Sequence, residues 1–327
     1  MTAAGSDRIR AGERGFSLVE MSMVAIVLVV MSAVIAQAIR GLTSAQTSMR
    51  SQTRVNSLAE RIASLVEADA SYAVRVFGDN DYGRAYLARL DLASILRGSS
   101  MLAGSRMPTA TMVGSFEHDP AGTNETGNLL LLVRKEKSVT VDISADASGD
   151  LRRADTFRFV AWYLHTGPET GVDLARWSSG LVARRADVLA VADPASQQRL
   201  VSGLVALGVS YAWDPASAAD VAFVHCRADG TVQPMVAGEL LPPDRAASEA
   251  GILATRHVGI ASNATAGAQV PLFANASGDF PGGFEVKRDG DGSGDLLLVR
   301  LVVVNGGRLR REFAVGTSMR QVSFRQE

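Results

Sequence analysis

The chain has 327 residues, 47% of them hydrophobic and 20% charged, with 33 lysines and arginines against 34 aspartates and glutamates. That length allows two domains, or one long β-rich domain with an appendage. The balanced charge excludes nucleic-acid binding through a strong overall positive field, and the apolar content excludes wholesale disorder. A single cysteine, Cys226, excludes an intramolecular disulfide framework, and with only four histidines no Cys/His zinc cluster of familiar spacing can be built.

Residues 1–15 are polar, with Arg8, Arg10 and Arg14 against Asp7 and Glu13. Residues 16–39 read FSLVEMSMVAIVLVVMSAVIAQAI, an apolar run whose only charge is Glu20. As a helix this run spans about 36 Å, enough to cross a hydrocarbon core of about 30 Å. A carboxylate in the middle of such a span costs about 2.5–3.5 kcal/mol, and less near the interface, so Glu20 needs a functional reason. Three membrane readings compete: a plain signal anchor, a secretory signal peptide cut after the small-x-small pattern Ala36-Gln37-Ala38, and a reading that accounts for Glu20.

Gly15-Phe16-Ser17-Leu18-Val19-Glu20, after a short basic leader and before the apolar run, resembles the processing motif of type IV prepilins and type II secretion pseudopilins. The resemblance implies a leader of residues 1–15, cut between Gly15 and Phe16 by a prepilin peptidase that methylates the new N-terminus. It further implies a transmembrane and assembly helix over 16–39, with Glu20 acting in assembly beside a neighbour's N-terminal amine. Opposite charges at low effective dielectric attract far more than in water, which would favour one axial stagger between subunits. The implied partners are the lipid bilayer, an inner-membrane assembly platform and other pilin or pseudopilin subunits. The implied place is the bacterial inner membrane, single-pass with the C-terminal domain exported to the periplasm, and then a pilus or pseudopilus. Arg8, Arg10 and Arg14 on one side of the span are matched by Arg40, Arg50 and Arg54 on the other, so positive charge alone does not set orientation and the resemblance does.

No proline precedes Pro108, so the helix is expected to continue as an amphipathic half over 40–77. Leu58, Ile62, Leu65, Val66 and Asp69 follow a 3.6-residue period, an apolar face ending at a polar position. Gly78–Asp81 is expected to end the helix, a short helix is expected over 84–97, and the Gly-, Ser-, Thr- and Pro-rich stretch 98–127 reads as a loop-rich insertion. Strand patterns follow. Leu129–Val133 and Ser138–Ile143 flank Arg134–Lys137 as a predicted hairpin, and Thr156–His165 and Val172–Trp177 form a second pair. Val205–Trp213 and Val221–Cys226 are further strands, and Leu296–Val304 with Leu309–Val315 enclose a clear Asn305-Gly306-Gly307 turn. Short helices are expected at 194–203, opened by Asp193-Pro194, and at 244–254. The predicted fold class is α+β: a long N-terminal helix packed on a mainly antiparallel β-sheet within an exported, β-rich domain over 78–327. The segment FRFVAWYLH…LARW is similar to segments of larger minor pilins and pseudopilins, which points to a minor subunit.

No nucleophile elbow, phosphate loop, dinucleotide fingerprint or zinc-protease pair is present, so no catalytic residue, cofactor or resident metal is assigned and the chain is not read as an enzyme. His225 and Cys226 are adjacent in a strand, where neighbouring side chains point to opposite faces. Asp289, Asp291, Ser293 and Asp295 alternate with glycines like the first half of a calcium loop, but Arg300 stands where a bidentate glutamate would be needed, and a polar turn explains the same letters. Short basic stretches such as Arg152-Arg153 and Arg308–Arg311 read as solvated strand edges, and no nucleic-acid partner is assigned. The competing function is a periplasmic or secreted binding protein with a conventional signal peptide cut near Ala38.

Overall fold

The computed structural model describes residues 17–90, 107–108, 111–113, 127, 129–145, 149–167, 171–217, 222–235, 259–260, 272–273, 280–281, 283–289, 295–305 and 309–319. In chain order the helices are α1 (Leu18–Ser71), α2 (Asp81–Leu90), α3 (Arg185–Leu189) and α4 (Pro194–Ala206). The strands are β1 (Ala73–Phe77), β2 (Thr111–Val113), β3 (Leu129–Asp142), β4 (Leu151–Gly167), β5 (Gly171–Ser178), β6 (Leu181–Arg184), β7 (Val209–Trp213), β8 (Phe223–Cys226), β9 (Val232–Pro234), β10 (Gly259–Ile260), β11 (Leu272–Phe273), β12 (Phe280–Pro281), β13 (Gly283–Asp289), β14 (Asp295–Asn305) and β15 (Leu309–Met319).

The chain divides into two compact units, residues 1–52 and 53–327. In the first, every described residue from Ser17 to Arg50 is exposed, although most of the segment is apolar. Helix α1 is unbroken at Gly41. In the second unit, α1 buries Val55, Leu58, Ala59, Ile62, Val66, Asp69 and Ala70. These recur every three or four residues, so one stripe faces the domain and the rest faces solvent. The helix stops at Ser71, not at 77: Ala73–Phe77 (AVRVF) is a strand, antiparallel to β3. Valine and phenylalanine suit a pleated strand better than a sixth decade of helix, and pairing with β3 decides the matter.

Among the described residues the larger sheet has the order β1-β3-β4-β6-β7-β8-β9, with β5 also on β4. Its pairs are antiparallel except β6–β7. The predicted hairpin at Arg134–Lys137 is instead a single strand, β3, which runs from Leu129 to Asp142 with an irregularity between Lys135 and Lys137. Arg-Lys-Glu-Lys contains no residue that favours the positive φ of a tight turn, and Arg134, Lys135 and Glu136 form ion pairs along the strand instead. β4 is likewise longer than expected and pairs with β3 from Leu151 to Tyr163, with β6 through Thr156 and Phe157, and with β5 from Val160 to Gly167. A smaller sheet, β10-β14-β13-β2 with β15 on β14, holds the predicted C-terminal hairpin, with Asn305 opposite Leu309. The hairpin's turn, residues 306–308, lies outside the described residues, as does the predicted 244–254 helix.

Both faces of the larger sheet are covered, which explains the unbroken leucine run of β3. Alternate residues Leu130, Leu132, Val160, Trp162 and Leu164 pack with the buried stripe of α1 and with Phe284, Val286 and Leu297 of the smaller sheet. Leu129, Leu131, Val133, Phe159, Ala161 and Tyr163 point the other way into an aromatic cluster with Phe77, Tyr86, Trp177, Trp213 and Phe223. A third cluster joins Val139, Val141 and Ile143 to Leu200, Val201 and Leu204 of α4. Asp193 caps α4, accepting from Ser196 N–H at 2.9 Å, with Pro194 opening the first turn. That helix runs on to Ala206, so Val205 and Ala206 are helical and the expected strand starts only at Val209, after Gly208 takes φ +92°. The helix predicted at 84–97 begins earlier, at Asp81, where Asn80 Oδ1 accepts from Gly83 N–H at 2.8 Å, so Gly78–Asp81 starts a helix where it was expected to end one.

Candidate functional site

Of the sequence-predicted site residues, Gly15 and Phe16 lie outside the described residues. Glu20 is the third residue of α1, and its partner is Ser17. Ser17 N–H donates to Glu20 Oε2 at 2.9 Å, and Glu20 N–H donates to Ser17 Oγ at 3.3 Å. This reciprocal capping box satisfies two backbone donors that a helix start otherwise leaves open, and places a carboxylate at the positive end of the helix dipole. The spacing S-x-x-E before an apolar run is the signal that announces it.

Downstream, two hydroxyls bond back to their own helix: Ser22 Oγ donates to Leu18 O at 2.7 Å, and beyond the span Thr43 Oγ1 donates to Ile39 O at 2.8 Å. A hydroxyl bonded back to its own helix leaves little polar demand on the surroundings. From Met21 to Ile39 the side chains carry no charge over about 28 Å of helix. Helix α1 is long and apolar enough to cross a membrane.

The second unit carries a charged centre on the helix-facing side of its sheet. Asp69, 1% exposed, accepts from Arg134 Nη1 at 2.7 Å, Trp162 Nε1 at 2.9 Å, Arg176 Nε at 2.8 Å and Arg176 Nη2 at 2.8 Å. Its donors come from β3, β4 and β5, so one carboxylate of α1 touches three strands. Arg134 Nε also donates to Glu136 Oε1 at 2.7 Å, and Arg158 Nη1 donates to Ser179 O at 2.8 Å. Burial pulls the Arg134 guanidinium down, but Glu136 and Asp69 more than offset this and hold it above its ordinary range. The sequence marked Asp69 only as the polar end of an apolar face. The missed inference was that a lone acid on a buried stripe needs cations from the strands it packs on.

On the opposite face Tyr86 is fully buried. It accepts from Trp213 Nε1 at 2.9 Å and donates to Ser217 O at 2.8 Å, while Tyr82 donates to Pro215 O at 2.8 Å. Arg75 lies over the Tyr82 ring at 4.3 Å and also donates to Pro215 O. Together these pin the loop after β7 to the aromatic cluster. Within β8, Cys226 is buried beside α4, and burial pushes its thiol up to about 11. His225 is half-buried and stacks on Tyr211, with centroids 4.9 Å apart. Asp289 closes β13 and Asp295 opens β14, while Asp291 and Ser293 lie outside the described residues. Asp289 and Asp295 are thus the facing ends of two antiparallel strands. No family model, curated protein or solved structure matches the chain.

Proposed function

We propose that this protein is a structural subunit of a type IV pilus or type II secretion pseudopilus: a minor, prepilin-like chain cut between Gly15 and Phe16 and assembled through its apolar helix. The observation that carries the reading is the pairing of a GFSLVE motif with a continuous helix that is exposed from Leu18 to Arg50 and uncharged from Met21 to Ile39. An exposed apolar surface of that extent requires a lipid bilayer, other helices, or both. A subunit that passes from one to the other meets both demands.

The prepilin peptidase supplies the processing, and the inner-membrane assembly platform and fellow subunits are the partners. The ectodomain is read as structural, not catalytic. In the lone subunit the Ser17–Glu20 box gives the carboxylate a local partner. In the assembly a neighbour's α-amine takes that place, setting the axial register, while helix packing contributes most of the association energy.

The test is the N-terminus of the mature chain, recovered from membranes of a host carrying a prepilin peptidase. A methylated Phe16 is the expected result. A chain beginning at Ile39 overturns the reading in favour of an exported binding protein with an ordinary signal peptide, and an uncut chain leaves a plain anchor.

A further inference from the structure

We propose that the solvent face of α1 between Thr53 and Ser71 is a contact surface for the same segment of a second copy of this chain, with Arg54 and Arg61 of one copy set against Glu60 and Glu67 of the next. The inference rests on the reading above in one respect, that the copies share a membrane orientation and so present this segment in parallel.

Arg54, Glu60, Arg61 and Glu67 are all exposed, and no ion pair engages any of them among the described residues. The sequence also denies them partners within the helix, because none has an opposite charge three or four residues away. The two arginines are seven residues apart, and so are the two glutamates, so each pair stacks on one flank about two helical turns apart. Measured around the axis from the middle of the buried stripe of Val55, Leu58, Ala59, Ile62, Val66, Asp69 and Ala70, the arginines lie about 100–120° to one side and the glutamates about 120–140° to the other. The outermost strip between them carries Thr53, Ser57, Ser64 and Ser71, all exposed and all short. The four charges therefore reach furthest from the helix flanks.

One edge is basic and the other acidic, so two parallel copies side by side meet with opposite signs. A shift of six residues, about 9 Å along the axis, sets Arg54 against Glu60 and Arg61 against Glu67 together. A shift of one residue or of thirteen engages a single pair. The contact uses different edges on the two copies, so it leaves a free basic edge and a free acidic edge and can repeat.

The experiment uses the full chain in membranes with Ser57→Cys and Ser64→Cys, which retain all four charges, lie on the outermost strip beside the two charged edges, and come within one residue of level at the six-residue shift. These cysteines are about 10 Å apart in one helix and cannot join within it; Cys226 is buried. Mild oxidation is expected to link position 57 of one copy to position 64 of another, mapped by peptide mass. Adding Arg54→Glu with Arg61→Glu, or Glu60→Arg with Glu67→Arg, is expected to cut the yield about tenfold, and high salt to lower the parent's yield. Co-expressing the two reversed chains is expected to restore links between unlike copies. Absence of the 57–64 link in the parent, or a yield indifferent to reversal, overturns the proposal. Circular dichroism of each variant checks that the fold is intact. Cleavage at Phe16, read on the same samples, reports the processing reading separately, so either can fail alone.

Discussion

Arg176 grips Asp69 with two parallel hydrogen bonds of 2.8 Å, one to each carboxylate oxygen, although the two residues are 107 positions apart in the chain. Such a planar fork is the strong form of a charge pair, and burial on both sides keeps water from replacing it. Removing the carboxylate strands Arg176 and the Trp162 N–H together and leaves Arg134 with Glu136 alone. Asp69→Ala is expected to lower the stability of the second unit by about 3–5 kcal/mol, read as a shift of the urea midpoint. A loss below about 1 kcal/mol would show that the cluster orders the helix without holding it.

Tyr86 and Trp213 make the corresponding test on the far face. Tyr86→Phe keeps the ring stacking and removes the hydroxyl that Trp213 donates to and that serves Ser217. The expected cost is about 1–3 kcal/mol, from the loss of two hydrogen bonds in a buried site. Proteolysis within 214–217 should also quicken, because the hydroxyl is one of the clamps on that loop.

Cys226 supplies a pH-dependent readout. Burial raises its thiol to about 11, above the ordinary value of about 8.5. A group raised by folding contributes stability that is complete below its unfolded value and is lost as pH rises through the folded one. The decline is therefore expected between about pH 8.5 and 11. The difference in stability between the wild type and Cys226→Ala should shrink or reverse across that window, a comparison that removes the tyrosine background. At pH 8 a thiol reagent should modify the chain only after denaturant is added.

Glu20 has two separable parts, a cap and a charge. Glu20→Gln retains the S-x-x-Q form of the capping box, whereas Glu20→Ala removes it. If the charge sets subunit register, both variants should be cut at Gly15 yet fail to enter filaments, scored by shearing and immunoblot. Filament entry by Glu20→Gln at the wild-type level would reduce the role of this residue to starting the helix.

Much of the architecture was legible because it depends on local patterns. The apolar run, the 3.6-residue stripe of α1, the Asp193-Pro194 helix start and the Asn305 hairpin each carry a signal within one continuous stretch of chain. What escaped depends on distant neighbours. Ala73–Phe77 continues the helix by sequence alone and becomes a strand because β3 offers its edge. Arg134–Lys137 look like a polar connection until Asp69 and Asp155 appear beside them as partners. At the site, Glu20 was found through a motif, while its bond to Ser17 and the donors around Asp69 were not. The first needed only the capping rule; the second needed the packing of α1 on three strands.

The arrangement at Asp69 has a mechanical corollary. A slip of one residue along the helix moves it about 1.5 Å and turns it about 100°, presenting Ala68 or Ala70 where the carboxylate belongs. Sliding and rolling are thus penalised by the same group, like a shaft fixed in its hub by a key.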